Sequence, residues 1–96
     1  MARGEMLTVF SYDVGNDRRR RRIARLLEDA ATRVPYSVFE TRMTRARCAA
    51  LSQRIASELG EGDSLRVYVL GHDGETRSRV FGDALPLESS DGSWIF

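Results

Sequence analysis

Two periodicities alternate along the chain and divide it into six elements. From Met6 to Val14 the apolar, β-branched and aromatic residues Leu7, Val9, Phe10, Tyr12 and Val14 crowd together, which predicts a strand. Gly15-Asn16-Asp17 then reads as a turn, with Asn16 or Asp17 placed to cap a helix. In that helix, about 18–33, the residues Ile23, Leu26, Leu27, Ala30, Ala31 and Val34 form a stripe at i, i+3, i+4, i+7 spacing, and Pro35 ends it. Tyr36 to Met43 alternates as a strand: Tyr36, Val38, Glu40 and Arg42 face one way, Ser37, Phe39, Thr41 and Met43 the other. Thr44 is the expected N-cap of a second helix, about 45–59, with the stripe Cys48, Leu51, Ile55, Leu59 and a stop at Gly60 and Gly62. Leu65, Val67 and Val69 alternate with Arg66 and Tyr68 in a strand over 64–71, Asp73-Gly74 marks a turn, and a short strand at 78–81 follows. The order β-α-β-α-β-β predicts a two-layer α+β sandwich, with both helices on one face of a sheet.

Composition narrows the class. A chain of 96 residues is one domain with a modest core, to which a dimer interface would add substantially. No apolar run reaches membrane-spanning length, and no apolar stretch of the secretory type follows the first residues. Cys48 is the sole cysteine and His72 the sole histidine, which excludes an intrachain disulfide and a cysteine-based zinc cage. Together these features point to a cytoplasmic protein without membrane partners.

Charge changes the picture more than its net value of +1 suggests. Residues 1–57 carry 12 Arg against 6 acids, and residues 58–96 carry 3 Arg against 8. That asymmetry suggests a basic working face. All basic side chains are Arg, a choice that suits bidentate phosphate contacts but also follows from a GC-rich genome. Five of them, Arg18 to Arg22, are consecutive in the first turn of the first helix, where positive charge opposes the macrodipole. The same helix end offers free N–H groups to an anion, so Arg side chains added there form a phosphate trap. At 100° per residue the run sweeps the whole helix circumference. Projecting the apolar stripe back from Ile23 and Leu27 lands on Arg19 and Arg20. Arg20 is therefore expected to point toward the sheet near the end of the first strand, with Arg18, Arg21, Arg22 and Arg25 more outward. The alternative is a solvated cluster paired with Asp17, Glu28 and Asp29.

Asp13 closes the first strand at the edge where α/β ligands tend to sit. Alone it is an ordinary turn carboxylate. A dimer that brought two copies together would offer the one or two carboxylates that Mg²⁺ requires, and such a metal activates water for phosphodiester hydrolysis. His72 lacks a partner at ligand spacing, and Cys48 belongs to the apolar stripe. Tyr12, Tyr36 and Phe39 either stack on bases or pack in the sheet. The apolar end Trp94-Ile95-Phe96, after the polar stretch 82–93, is expected to dock on a partner surface.

Three segments in this order resemble the CRISPR-associated protein 2 family, the small subunit of the spacer-acquisition machinery. They are Ser11-Tyr12-Asp13-Val14 followed by the Arg-rich helix start and Ile23-Ala24-Arg25-Leu26-Leu27, then Arg33-Val34-Pro35-Tyr36-Ser37-Val38-Phe39-Glu40, then Asp63-Ser64-Leu65-Arg66-Val67-Tyr68-Val69-Leu70. The resemblance covers about residues 6–82, and the Trp-Ile-Phe ending is similar to one branch of the family. It implies a ferredoxin-like βαββαβ sandwich with an additional C-terminal strand, homodimeric, over residues 1–82, and a docking tail over 83–96. It implies a subunit that binds duplex DNA phosphates and bridges dimers of the CRISPR integrase. In some members it implies a metal-dependent endonuclease on DNA or RNA. Asp13 is then the catalytic residue and the metal ligand, sharing Mg²⁺ with its copy across the dimer axis. Arg18, Arg19, Arg20, Arg22 and Arg33 form the phosphate-binding set, in which Arg20, Arg22 and Arg33 match family basic positions; Ser37 and Phe39 match its strand motif. A toxin-type ferredoxin-like endoribonuclease acting without an integrase is the alternative. The ferredoxin-like order needs two strands between the helices where the periodicity gives one, so either 33–35 forms an extra piece or 36–43 is broken.

Overall fold

Alternation in the first strand decides which of its side chains build the core. In the computed structural model, which describes residues 4–71 and 76–82, strand β1 spans Glu5–Asp13 and buries Thr8, Phe10 and Tyr12 on one face. Helix α1 (Asp17–Glu28) follows, then β2 (Thr32–Arg33), β3 (Val38–Thr44), α2 (Arg45–Ala56), β4 (Ser64–Leu70) and β5 (Thr76–Gly82). The sheet order is β2-β3-β1-β4-β5, with every neighbouring pair antiparallel. Its first four strands have the ferredoxin-like order, and β5 adds an edge beside β4.

Both helices supply apolar faces to the same side of the sheet. Ile23, Ala24 and Leu27 of α1 and Cys48, Ser52 and Ile55 of α2 are buried. They join Phe10, Phe39, Met43, Leu65 and Val67 in one core. Fully burying a side chain of the size of Phe10, Leu27 or Ile55 contributes about 1.5–3 kcal/mol, so this layer holds the helices in place. The register sets Phe10 between Phe39 and Val67, and Tyr12 opposite Leu65.

The caps form as the sequence predicts. The Asn16 side-chain oxygen accepts from the Arg19 amide at 2.9 Å, and Thr44 Oγ1 accepts from the Arg47 amide at 3.2 Å. Several boundaries differ from the periodicity, among them the second predicted strand, which starts at Val38 and not Tyr36. Helix α1 stops at Glu28, not Arg33, because Thr32 and Arg33 pair with Glu40 and Phe39 as the short strand β2. The residue before a proline is disfavoured in the helix, and sheet pairing satisfies backbone groups that a longer helix would leave exposed. The extra strand is thus the 32–33 piece, and β3 runs unbroken. Helix α2 ends at Ala56, three residues short of the predicted stop, and β5 is longer than 78–81. His72, the Asp73-Gly74 turn, the 83–96 segment and its Trp94, Ile95 and Phe96 lie outside the described residues. Among the described residues no helix is long and apolar enough to cross a membrane.

Candidate nucleic-acid interface

Strand β1 delivers Asp13 to the rim of the sheet. By alternation with the buried Tyr12, Asp13 lies on the face turned away from the helices, and its side chain is exposed. Its register partner on β4 is Ser64. On the other side β1 is paired with β3 as far as Val38, and the Tyr12 amide then donates to the Ser37 carbonyl at 3.2 Å. Asp13 enters no ion pair among the described residues. No three His, Cys, Asp or Glu side chains come together as a metal cage among them. One exposed carboxylate fits a divalent cation that keeps most of its waters, such as Mg²⁺, and does not fit a closed zinc site.

The Arg run surrounds that rim unevenly. Arg20 turns back to the end of β1, as its phase predicts: Nη1 donates to the Val14 carbonyl at 3.0 Å and Nη2 pairs with Asp17. Arg22 pairs with Glu58 at 2.7 Å. Arg18, Arg21 and Arg25 are exposed and form no ion pair among the described residues. Arg33 is held from three sides. Its Nη1 donates to the Tyr36 carbonyl at 2.7 Å, its Nη2 meets Glu28 at 3.1 Å, and its guanidinium carbon sits 4.9 Å from the centre of the Phe39 ring. The solvated-cluster alternative named Asp17, Glu28 and Asp29 as partners of the run; Asp17 takes that part, Glu58 and Asp63 hold Arg22 and Arg19, and Glu28 pairs instead with Arg33.

Arg19 differs from its neighbours. Its Nε donates to Asp63 Oδ2 at 2.8 Å, and Asp63 is only 2% exposed. The same carboxylate accepts from the Gly60 amide at 2.8 Å and the Gly15 amide at 3.2 Å. Burial alone would raise the Asp63 pKa, but the Gly60 and Gly15 amides and the Arg19 guanidinium together hold it below the usual carboxylate value. A Cβ on Gly60 would come within 2.5 Å of the Arg19 guanidinium, so glycine is what admits this arginine. Asp63 was not among the candidate residues, since nothing local sets it apart from the polar turn Gly60-Glu61-Gly62. Its sequence signals are its place at the head of the 63–70 segment and the two glycines, Gly60 and Gly62, that precede it and let backbone close on a carboxylate.

The aromatic candidates separate by burial. Tyr12 and Phe39 are core residues, stacked on each other with centroids 6.3 Å apart. Tyr36 is 89% exposed. Ser37 and Phe39 frame the start of β3 from inside. Cys48 is buried, and burial pushes its thiol pKa up, a shift that the Ser52 hydroxyl and the Arg79 charge only partly offset. That is the signature of a packing cysteine, not a nucleophile.

The chain's relatives share one description. A sequence model of the family described as CRISPR associated protein Cas2 matches residues 6–77. A protein of Synechocystis sp. named CRISPR-associated endoribonuclease Cas2 3 is 39% identical over 90 residues, covering 93% of this chain and 97% of that one. A CRISPR-associated endoribonuclease Cas2 of Nitratidesulfovibrio vulgaris is 41% identical over 96 residues, covering 94% and 93%. Among solved structures, one titled "Crystal structure of cas2" superposes with a TM-score of 0.66 at 25% identity, over 96% of this chain and 99% of that one. The Streptococcus pyogenes Cas2 structure gives 0.61 at 35% identity, over 69% and 87%.

Proposed function

The chain belongs to the CRISPR-associated protein Cas2 family, and from that premise we propose that it is a phosphate-binding subunit of spacer acquisition with endonuclease activity centred on Asp13. One observation carries the reading: a carboxylate at the end of β1 that is exposed and enters no ion pair among the described residues, with two guanidiniums, Arg20 and Arg33, anchored on the backbone carbonyls of Val14 and Tyr36. Arg20 and Arg33 each commit two donor groups to protein partners. A guanidinium has five, so the remainder is free to hold phosphate oxygens in a fixed orientation. The exposed Arg18, Arg21 and Arg25 add sequence-independent attraction to the backbone, and Arg22 joins them from beside Glu58. Arg19 contributes indirectly, by fixing the loop that carries the Arg run.

Asp13 is the residue that would hold a divalent cation. Bound there, the cation supplies a water nucleophile at neutral pH and neutralises charge on the phosphodiester. A homodimer completes the donor set. The helices cover only the Phe10 face of the sheet, leaving Leu7, Val9, Ser11 and Asp13 on the other. A second copy laid on that face across a two-fold axis near Asp13 would bring the two carboxylates together. The Synechocystis and Nitratidesulfovibrio relatives carry endoribonuclease in their names, which favours RNA as the cleaved strand. Duplex DNA remains the strand held during acquisition, between dimers of the CRISPR integrase.

The test is cleavage of an RNA strand and of a DNA duplex, with Mg²⁺ and with chelator, by the wild type and Asp13→Ala. Cleavage that needs Mg²⁺ and is lost by at least about 100-fold in the variant is expected. Equal cleavage by the two proteins would remove Asp13 from the chemistry. Retention of duplex binding by the variant would separate the holding role from the cutting role.

A further inference from the structure

We propose that Tyr36 is a stacking platform for one unpaired nucleobase, set beside the phosphate that Asp13 addresses; this rests on the nucleic-acid reading above. Tyr36 has a backbone φ of 44° and is the non-glycine residue among the described ones with a positive value. A bulky L-residue reaches this left-handed region only under strain, and such strain persists where the surroundings enforce it. Here they do. The Val34 amide donates to the Val38 carbonyl at 2.8 Å, the Val38 amide donates to the Pro35 carbonyl at 2.8 Å, and Arg33 clamps the Tyr36 carbonyl at 2.7 Å. Arg33 is itself braced by Glu28 and the Phe39 ring. The hairpin tip thus holds its backbone rigid while presenting a ring that is 89% exposed, next to Val34 at 53%. Packing within the described chain does not account for that ring, in contrast to Tyr12 and Phe39.

Place decides the occupant. β1 pairs with β3 as far as Ser11 with Val38, and the Tyr12 amide donates to the Ser37 carbonyl, so the 35–37 tip lies at the end of the sheet where β1 ends in Asp13. The tip therefore projects at the same rim as the candidate carboxylate, with Arg33 at its base. Arg33 at its base carries donors suited to phosphate, and an exposed aromatic on a stiff mount beside it offers a π-face to a base. A base inside a duplex already stacks on its neighbours, so the ring recognises one that is unpaired.

The test measures binding of a single-stranded oligonucleotide and of a duplex of the same length to the whole protein, across a salt series. The variants are Tyr36→Asn, Tyr36→Phe and Tyr36→Trp. Asn tolerates positive φ and so removes the ring without disturbing the tip. Tyr36→Asn should weaken single-strand binding on the order of tenfold with the duplex affinity and the salt slope unchanged, while Phe and Trp keep the affinity. A 2-aminopurine base in the strand should be quenched by the wild type and not by Tyr36→Asn. Equal single-strand affinity for wild type and Tyr36→Asn overturns the proposal while leaving the phosphate reading intact. A loss with Phe as large as with Asn also overturns it, since the ring would not be the agent. Absence of binding to either nucleic acid by the wild type overturns both readings.

Discussion

Asp13 and Asp63 sit on opposite sides of one step in the β1–β4 ladder, since Asp13 faces Ser64 and Asp63 immediately precedes it. Their surroundings could hardly differ more. Asp63 is buried and accepts two backbone amides and an arginine; Asp13 is exposed and enters no ion pair among the described residues. The buried carboxylate ties the β1–α1 turn to the α2–β4 turn, so the Arg run starts from a fixed point. The exposed one has its oxygens open to solvent. A carboxylate that is fully satisfied stabilises, and one that is left open remains able to bind.

The sharpest way to break this contrast is to remove each side chain in turn. Asp63→Ala strands Arg19 and the Gly15 and Gly60 amides, and should cost about 3–5 kcal/mol in urea unfolding. Asp13→Ala should change the same measurement by less than about 0.5 kcal/mol. Equal losses would mean that Asp13 too is structural. Next in size is the response to acid. Asp63 has its folded pKa lowered from an ordinary value of 3.8. Its contribution is therefore complete above that value and is lost as pH falls through the lower, folded pKa. Unfolding followed between pH 6 and pH 2 should show an acid limb that Asp63→Asn flattens. The smallest effect sharpens the other side of the comparison. Arg18→Ala with Arg21→Ala should lower the slope of log affinity against log salt for duplex DNA by about 1.8, while stability rises by a few tenths of a kcal/mol.

What could be read in the chain beforehand was what depends on neighbours in sequence. Asn16 and Thr44 cap their helices because a cap needs only the next three residues. The phase of the apolar stripe located Arg20 at the end of β1. Features set by distant partners were hidden. Ala30 and Ala31 extend the helical pattern, and only the pairing with Glu40 and Phe39 reveals that the helix has already ended. Arg19 looks like any member of its run until Asp63, 44 residues away, is seen to hold it. Alternation sets Tyr36 and Phe39 on opposite faces but does not say which face the helices cover; the structure buries Phe39 and Tyr12 and leaves Tyr36 exposed in the turn before β3.

The Arg run has a consequence for the amount of folded protein as well as for binding. Carboxylates pair with Arg19, Arg20 and Arg22, but Arg18 and Arg21 enter no ion pair among the described residues and oppose the dipole at the positive end of α1, a repulsion that an anion relieves. The unfolded chain keeps these arginines adjacent but lacks the helix N-terminus and its oriented N–H groups, so it offers the same anion a weaker site. Under the proposed phosphate reading, occupancy and folding are linked by mass action: the unfolding free energy rises by RT ln(1 + [L]/Kd) with the concentration of nucleic acid. On the proposed reading, the free protein is therefore its less stable form, and nucleic acid added to it should raise its unfolding midpoint.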